Sequence, residues 1–160
     1  MSQVQTKSQA TTTKQVKLVT FGVGNLNAAL HIDVVQRVIN YSTIYSSGLN
    51  HFGIINLGDQ EITVIDLHKR LFNTSQPVNP SKPGYLVLVK NSVNEIFGIV
   101  VSEAPSLLDV SLDNIRVLPP SYRQADTLSI ASHVTVIHQE QGELAIFILV
   151  PDELVPPVKS

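Results

Sequence analysis

The sequence predicts an all-β protein, two small β-barrels packed together, and three observations predict it. Hydrophobic residues make up 43% of the 160, and Val, Ile and Leu dominate them; β-branched aliphatics at this density favour strands. Roughly nine or ten short apolar runs are separated by turn residues, at spacings typical of sandwiches and barrels. Long helices are absent, and the length suits two small lobes.

Residues 1–15, rich in Ser, Thr, Gln and Lys, read as a polar N-terminal tail. Val19, Phe21 and Val23 then alternate with Lys17, Thr20 and Gly22 as a first strand. Gly24 to Asn27 supplies a turn, and Ala28, Leu30 and Ile32 line one face of a second strand, so the pair reads as a hairpin. Asp33 is placed to cap one helical turn over Val34 to Val38. Tyr41 to Asn50 reads as a polar loop. Phe52 to Leu57 and Glu61 to Leu67 are strands around a Gly58-Asp59-Gln60 turn. Asp66 to Phe72 closes with His68, Lys69 and Arg70, which suit the last turn of a short helix. Residues 73–83 hold Pro77, Pro80 and Pro83 and read as a linker between the lobes. Beyond it, Tyr85 to Val89 and Ile96 to Val101 form a hairpin. Leu107 to Val110 is a short strand, Asp113 to Asp126 shows no clean period, and His133 to Gln139 with Leu144 to Val150 forms the clearest hairpin. Residues 156–160 form a C-terminal tail. No exact internal repeat is present.

Composition excludes several function classes. Eleven basic against 13 acidic side chains give a net charge of −2 with no basic stripe, so nucleic acid has no electrostatic footprint. The absence of Cys removes disulfide scaffolds and thiolate metal sites. The N-terminus lacks the apolar segment of a signal peptide. Leu144 to Pro151, the longest nearly continuous apolar stretch, is far too short to span or insert into a membrane. The expected compartment is the cytoplasm, which leaves the sequons at Asn40 and Asn73 without meaning.

The chemistry-bearing residues are sparse. Gly22-Val23-Gly24 is half of a dinucleotide fingerprint but lacks its third Gly and a following helix, so a hairpin turn accounts for it better. His133 and His138 fall on opposite faces of a straight strand. His31 with Asp33, and Asp66 with His68, have the spacing of acid–base or metal pairs, yet polar groups beside turns explain them more simply. The carboxylate pairs Asp109 with Asp113 and Glu140 with Glu143 read as solvated loop charges. We assign no catalytic, cofactor-binding or metal-binding residue.

Four stretches in order resemble the CheW-like family. They are Lys17-Leu18-Val19-Thr20-Phe21-Gly22-Val23, then Ala29 to Ile39 with its Val-x-x-Val turn, then Gly53-Ile54-Ile55-Asn56-Leu57-Gly58-Asp59 running on to Val64-Ile65-Asp66-Leu67, then Gly98-Ile99-Val100-Val101-Ser102. A closing Ile146-Phe147-Ile148-Leu149-Val150 fits as well. The third stretch is similar, without a gap, to the family's Gly-hydrophobic-hydrophobic-Asn-Leu-Arg-Gly and Pro-Val-Ile-Asp-Leu. The resemblance spans residues 16–155 and implies two five-stranded SH3-like β-barrels sharing a hydrophobic core, with short helical turns.

The resemblance also implies a function. Such proteins are non-enzymatic, cofactor-free adaptors that join a methyl-accepting chemoreceptor-type protein to the regulatory domain of a chemotaxis-type histidine kinase. Carried onto this chain, the partner-contacting positions are Val35, Arg37, Asn56, Leu57, Gly58, Asp59 and Leu107. The chain departs from the family at Gly58 for Arg, Asp59 for Gly, Thr63 for Pro, Arg37 for a common Glu and Ser102 for Asp. The apolar strand positions are kept and the displayed polar ones are changed, which suits a specialised partner in pilus motility or phototaxis. The competing readings are a CheW-like module with altered partners and a small-ligand binder using the cleft between the barrels.

Overall fold

The computed structural model describes residues 14–48, 51–124 and 128–157. The N-terminal tail reading therefore falls largely on residues outside this set; Gln15, placed in that tail, opens the first strand. Among the described residues there are twelve strands: β1 (Gln15–Val23), β2 (Leu26–His31), β3 (Val35–Asn40), β4 (Tyr45–Ser46), β5 (Phe52–Leu57), β6 (Gln60–Ile65), β7 (Tyr85–Lys90), β8 (Ile96–Val101), β9 (Ser106–Ser111), β10 (Ile115–Val117), β11 (Ala131–Gln139) and β12 (Gly142–Leu149). Three short helices accompany them: α1 (Leu67–Phe72), α2 (Pro120–Gln124) and α3 (Pro151–Leu154).

The strands form two six-stranded sheets, ordered β10-β11-β12-β2-β1-β9 and β3-β7-β8-β6-β5-β4. Each sheet is one strand longer than the resemblance implies, and the shortest members, β4 and β10, have two and three residues. The two orders share one plan. An antiparallel hairpin (β11–β12 or β7–β8) meets a second hairpin (β1–β2 or β5–β6) through a parallel pair, β12 with β2 or β8 with β6. The repeat extends to the 3-10 turns Ile32–Val34 and Leu112–Asn114. Each begins at a side chain, His31 or Ser111, that accepts the N–H of Asp33 or Asp113. The sequence trace of this repeat is only a hydrophobic residue followed by Asp.

The second sheet is one continuous stretch of chain, whereas the first gathers β1, β2 and β9 to β12. The Pro-rich 73–83 segment therefore does not separate the lobes; it joins α1 to β7, on the second-sheet side. The chain passes between sheets at the 3-10 turn after β2 and at residues 102–105. The helical turn expected over Val34 to Val38 is instead that 3-10 turn followed by β3. A bulge between Val35 and Arg37 breaks the two-residue period there and hides the strand.

Packing explains why the central strands look continuously apolar. Phe21, Val23, Ala28 and Leu30 of the first sheet meet Val87, Val89, Phe97, Ile99 and Val101 of the second in one shared core. The alternate residues point the other way. Ile55, Ile62, Val64, Leu86 and Val100 fill the second lobe, and Leu18, Ala29, Val110 and Ile146 fill the first. Strands such as β7 and β8 are covered on both faces and so carry no polar alternation. Val64, Ile65, Val100 and Ile146 are buried, while Ile54 and Ile148 are half-buried.

Asn91 fastens the C-terminal end of the chain to the β7–β8 loop. It is 4% exposed. Its Oδ1 accepts the N–H groups of Val93 (3.1 Å) and Glu95 (3.0 Å), and its Nδ2 donates to Glu95 Oε1 (2.7 Å) and the Val155 carbonyl (3.2 Å). Nearby, Asp152 Oδ1 accepts the Ser92 N–H at 2.8 Å. Asn91→Ala removes all four part-buried side-chain bonds, so we expect a loss of about 2 kcal/mol in urea unfolding. A loss under about 0.5 kcal/mol would mean that water replaces these bonds freely.

Candidate protein-binding surface

The β5–β6 hairpin is built around a two-residue turn. Leu57 pairs with Gln60, leaving Gly58 and Asp59 between them. Gly58 has φ +63° and Asp59 is not in the positive region, the pattern of a II′ turn with Gly first. The changed order of residues at this turn therefore goes with a glycine where a positive φ is required. Leu57 packs half-buried against the core of the second lobe. Asn56, Gly58, Asp59, Gln60, Glu61 and Thr63 are exposed, so the tip carries two carboxylates and no cation.

Val35 and Arg37 lie on β3, an edge strand paired only with β7. Val35 is half-buried against the shared core, so it serves packing as well as display. Arg37 is exposed and, among the described residues, has no ion-pair partner. Next to it Val38 is 41% exposed. Sequence reasoning missed this residue because it assigned the segment to a helical turn.

Leu107 lies on β9, the edge of the first sheet, and is 63% exposed. It sits opposite Val19 and two residues from Asp109, whose carboxylate meets Lys17 Nζ at 2.9 Å across the β1–β9 pairing. A shallow groove with Thr20, Gly22, Asn27 and Ala104 runs beside it. The seven expected contact residues thus occupy three elements, β3, the β5–β6 tip and β9, that share no direct strand pairing. Val117 and Tyr122, 69% and 52% exposed, form a further apolar spot in a region without legible period.

The pairs with acid–base spacing are occupied by turn chemistry. His31 Nδ1 accepts the Asp33 N–H at 3.0 Å. Asp66 caps α1, accepting Lys69 N–H at 3.0 Å and Gln76 N–H at 2.9 and 3.1 Å, while His68 Nδ1 pairs with the Thr74 carbonyl. His138 faces Glu143 across the β11–β12 hairpin at 3.3 Å. Among the described residues no group of three or more His, Asp or Glu is placed to hold a metal, and no helix is long and apolar enough to cross a membrane.

The surroundings of His51, beside α1, move its pKa. Burial, then the Arg70 charge, lower it from the usual 6.5, against the opposing pull of Asp66. The folded state thus binds fewer protons than the unfolded one just below pH 6.5. This contribution to stability is present above 6.5 and is lost as pH falls through the window beneath it. We expect urea midpoints to fall between about pH 7.5 and about pH 5.5, and His51→Gln to reduce that fall. An unchanged fall in the variant removes His51 from the account.

Residues 17–156 match the family described as the CheW-like domain. The crystal structure of the scaffolding protein TtCheW from Thermoanaerobacter tengcongensis is similar in fold, with a TM-score of 0.68, 22% identity, and 87% of this chain and 86% of that chain covered. No curated protein matches. The matched span takes in all twelve strands except the first two residues of β1, and the chain belongs to the CheW-like domain family.

Proposed function

We propose that the protein is a non-enzymatic adaptor of the cytoplasm that couples a chemoreceptor-type protein to the regulatory domain of a chemotaxis-type histidine kinase. The match to the CheW-like domain over 140 residues, 17 through 156, carries this reading. Two exposed sheet edges and a hairpin tip support it, because an adaptor has to hold two partners at once without either covering the other. Edge strands offer unpaired backbone groups, and Leu107 and Val38 offer apolar anchors beside them. The test is copurification of the full chain with a kinase regulatory domain and, separately, with a receptor hairpin tip. Failure to bind either, where a control adaptor binds both, ends the proposal.

The altered hairpin tip favours a specialised pathway such as pilus motility or phototaxis. Asp59 and Glu61 make the tip acidic, so its partner surface carries basic residues there. We expect Asp59→Lys with Glu61→Lys to slow association with that partner about tenfold at low salt and to reverse the salt dependence. Stability should change little, because both side chains are exposed. Unchanged association at low salt would place the tip outside the interface.

A further inference from the structure

Among the described residues, two buried side-chain atoms lack a hydrogen-bond partner, His51 Nδ1 and Gln76 Oε1. Both residues line one cavity of about 240 Å³ in the second lobe. Gln76 is only 9% exposed. Its backbone N–H is held by both oxygens of Asp66, so the main chain is fixed while the side-chain Oε1 accepts no hydrogen bond. Native proteins rarely leave buried polar groups orphaned, because each one costs folding free energy. Both atoms belong to residues that line one cavity, which points to a ligand that completes them.

The chemistry of the wall narrows the class. The Asp66 carboxylate already accepts backbone N–H groups from Gln76 and Lys69, so little of it is left to attract a cation. Val64, Val100 and Phe52 supply apolar surface, and the His51 ring lies against Phe52 with centroids 4.2 Å apart. Burial and Arg70 both favour the neutral imidazole. A neutral imidazole and a carboxamide over an apolar base match a neutral group that donates and accepts at once. The terminal torsion of Gln is broad, so the amide turns toward the cavity at little cost.

We propose that this cavity binds a neutral carboxamide carried on an apolar or aromatic body, either a free small molecule or the side-chain amide of a docking protein. Gln76 pairs with it amide to amide, and His51 Nδ1 takes a remaining hydrogen bond. The site goes beyond the adaptor role and does not depend on it.

The experiment is an NMR titration of the full chain with benzamide, with benzoate as its charged counterpart. The expected result is saturable shifts of the Gln76 side-chain NH₂ and the His51 ring, with benzamide binding more tightly than benzoate. Gln76→Leu, which exchanges a buried amide with an unpaired oxygen for an apolar group and so preserves the fold, should weaken binding about tenfold. Lys69→Met should leave benzamide affinity unchanged. Tighter binding of benzoate overturns the proposal, because Lys69 would then be the recognising group. Unsaturable shifts, or equal affinity in Gln76→Leu, also overturn it. Given benzamide binding, a short peptide with a central Gln identifies the source. Tighter binding than benzamide assigns a partner's side chain, and weaker binding assigns a free molecule.

Discussion

Gly84→Ala is expected to destabilise the protein by about 3 kcal/mol or more, a large share of the stability of a domain this size. Gly84 has φ +102°, where L side chains strain. A Cβ there would also stand 2.4 Å from the Val101 carbonyl oxygen and 3.1 Å from Ser102 Cα. Both obstacles are backbone, so no rotamer change relieves them. The position is a junction as well, since the Gly84 carbonyl accepts the Tyr41 N–H at 3.1 Å and Tyr85 pairs with Val101. Any shift that admits a methyl group therefore disturbs the ends of β3, β7 and β8 together. Gly58→Ala is the control. It also has a positive φ, +63°, but nothing lies within 4 Å of its Cβ position. Only the positive-φ backbone is then penalised, with no clash added, so the loss is expected to be smaller than at Gly84. Urea unfolding of both variants checks the account. Equal small losses would show that the chain shifts freely around Gly84.

These two glycines also mark where the sequence is legible. Gly58 between two apolar runs announces a hairpin, because turn chemistry is local. Gly84 follows Pro83 and reads only as the end of a linker; the carbonyl it faces belongs to a strand about 17 residues further on, and no local pattern shows it. The same contrast holds for whole elements. The β11–β12 and β7–β8 hairpins are readable from apolar runs around turn residues. β3 is not, because its bulge shifts the phase of Val35 against Val38, and β4 is too short to have a period. The crossings between sheets are equally hidden. Each takes only a few residues, while the conspicuous Pro77, Pro80 and Pro83 lie within the second-sheet part of the chain. At the contact surface, residue identities came from family resemblance, and exposure came from the fold. Leu107 and Leu108 are adjacent and apolar, so a sequence reading cannot say which one faces out.

Exposure decides the second large effect. Leu107→Ala is expected to leave stability within about 0.5 kcal/mol while weakening partner binding tenfold to a hundredfold. The first half follows from position. Leu107 is 63% exposed on an edge strand and outside all three buried clusters, so trimming it opens no cavity. Its strand stays in register through the β1–β9 backbone pairing and the Lys17–Asp109 contact. The second half follows from the proposed adaptor role, in which an apolar side chain at an exposed edge becomes fully covered by a partner. Val35→Ala cannot make this distinction, because Val35 also packs against the shared core and its loss lowers stability and binding together. Titrating Leu107→Ala separately against a kinase regulatory domain and a receptor hairpin tip assigns the edge to one of them. If affinity for the kinase domain alone falls, β9 is the kinase edge, and the β3 edge with Arg37 and Val38 is left for the receptor. If neither affinity falls, Leu107 lies outside both interfaces and the three-patch surface contracts to β3 and the β5–β6 tip.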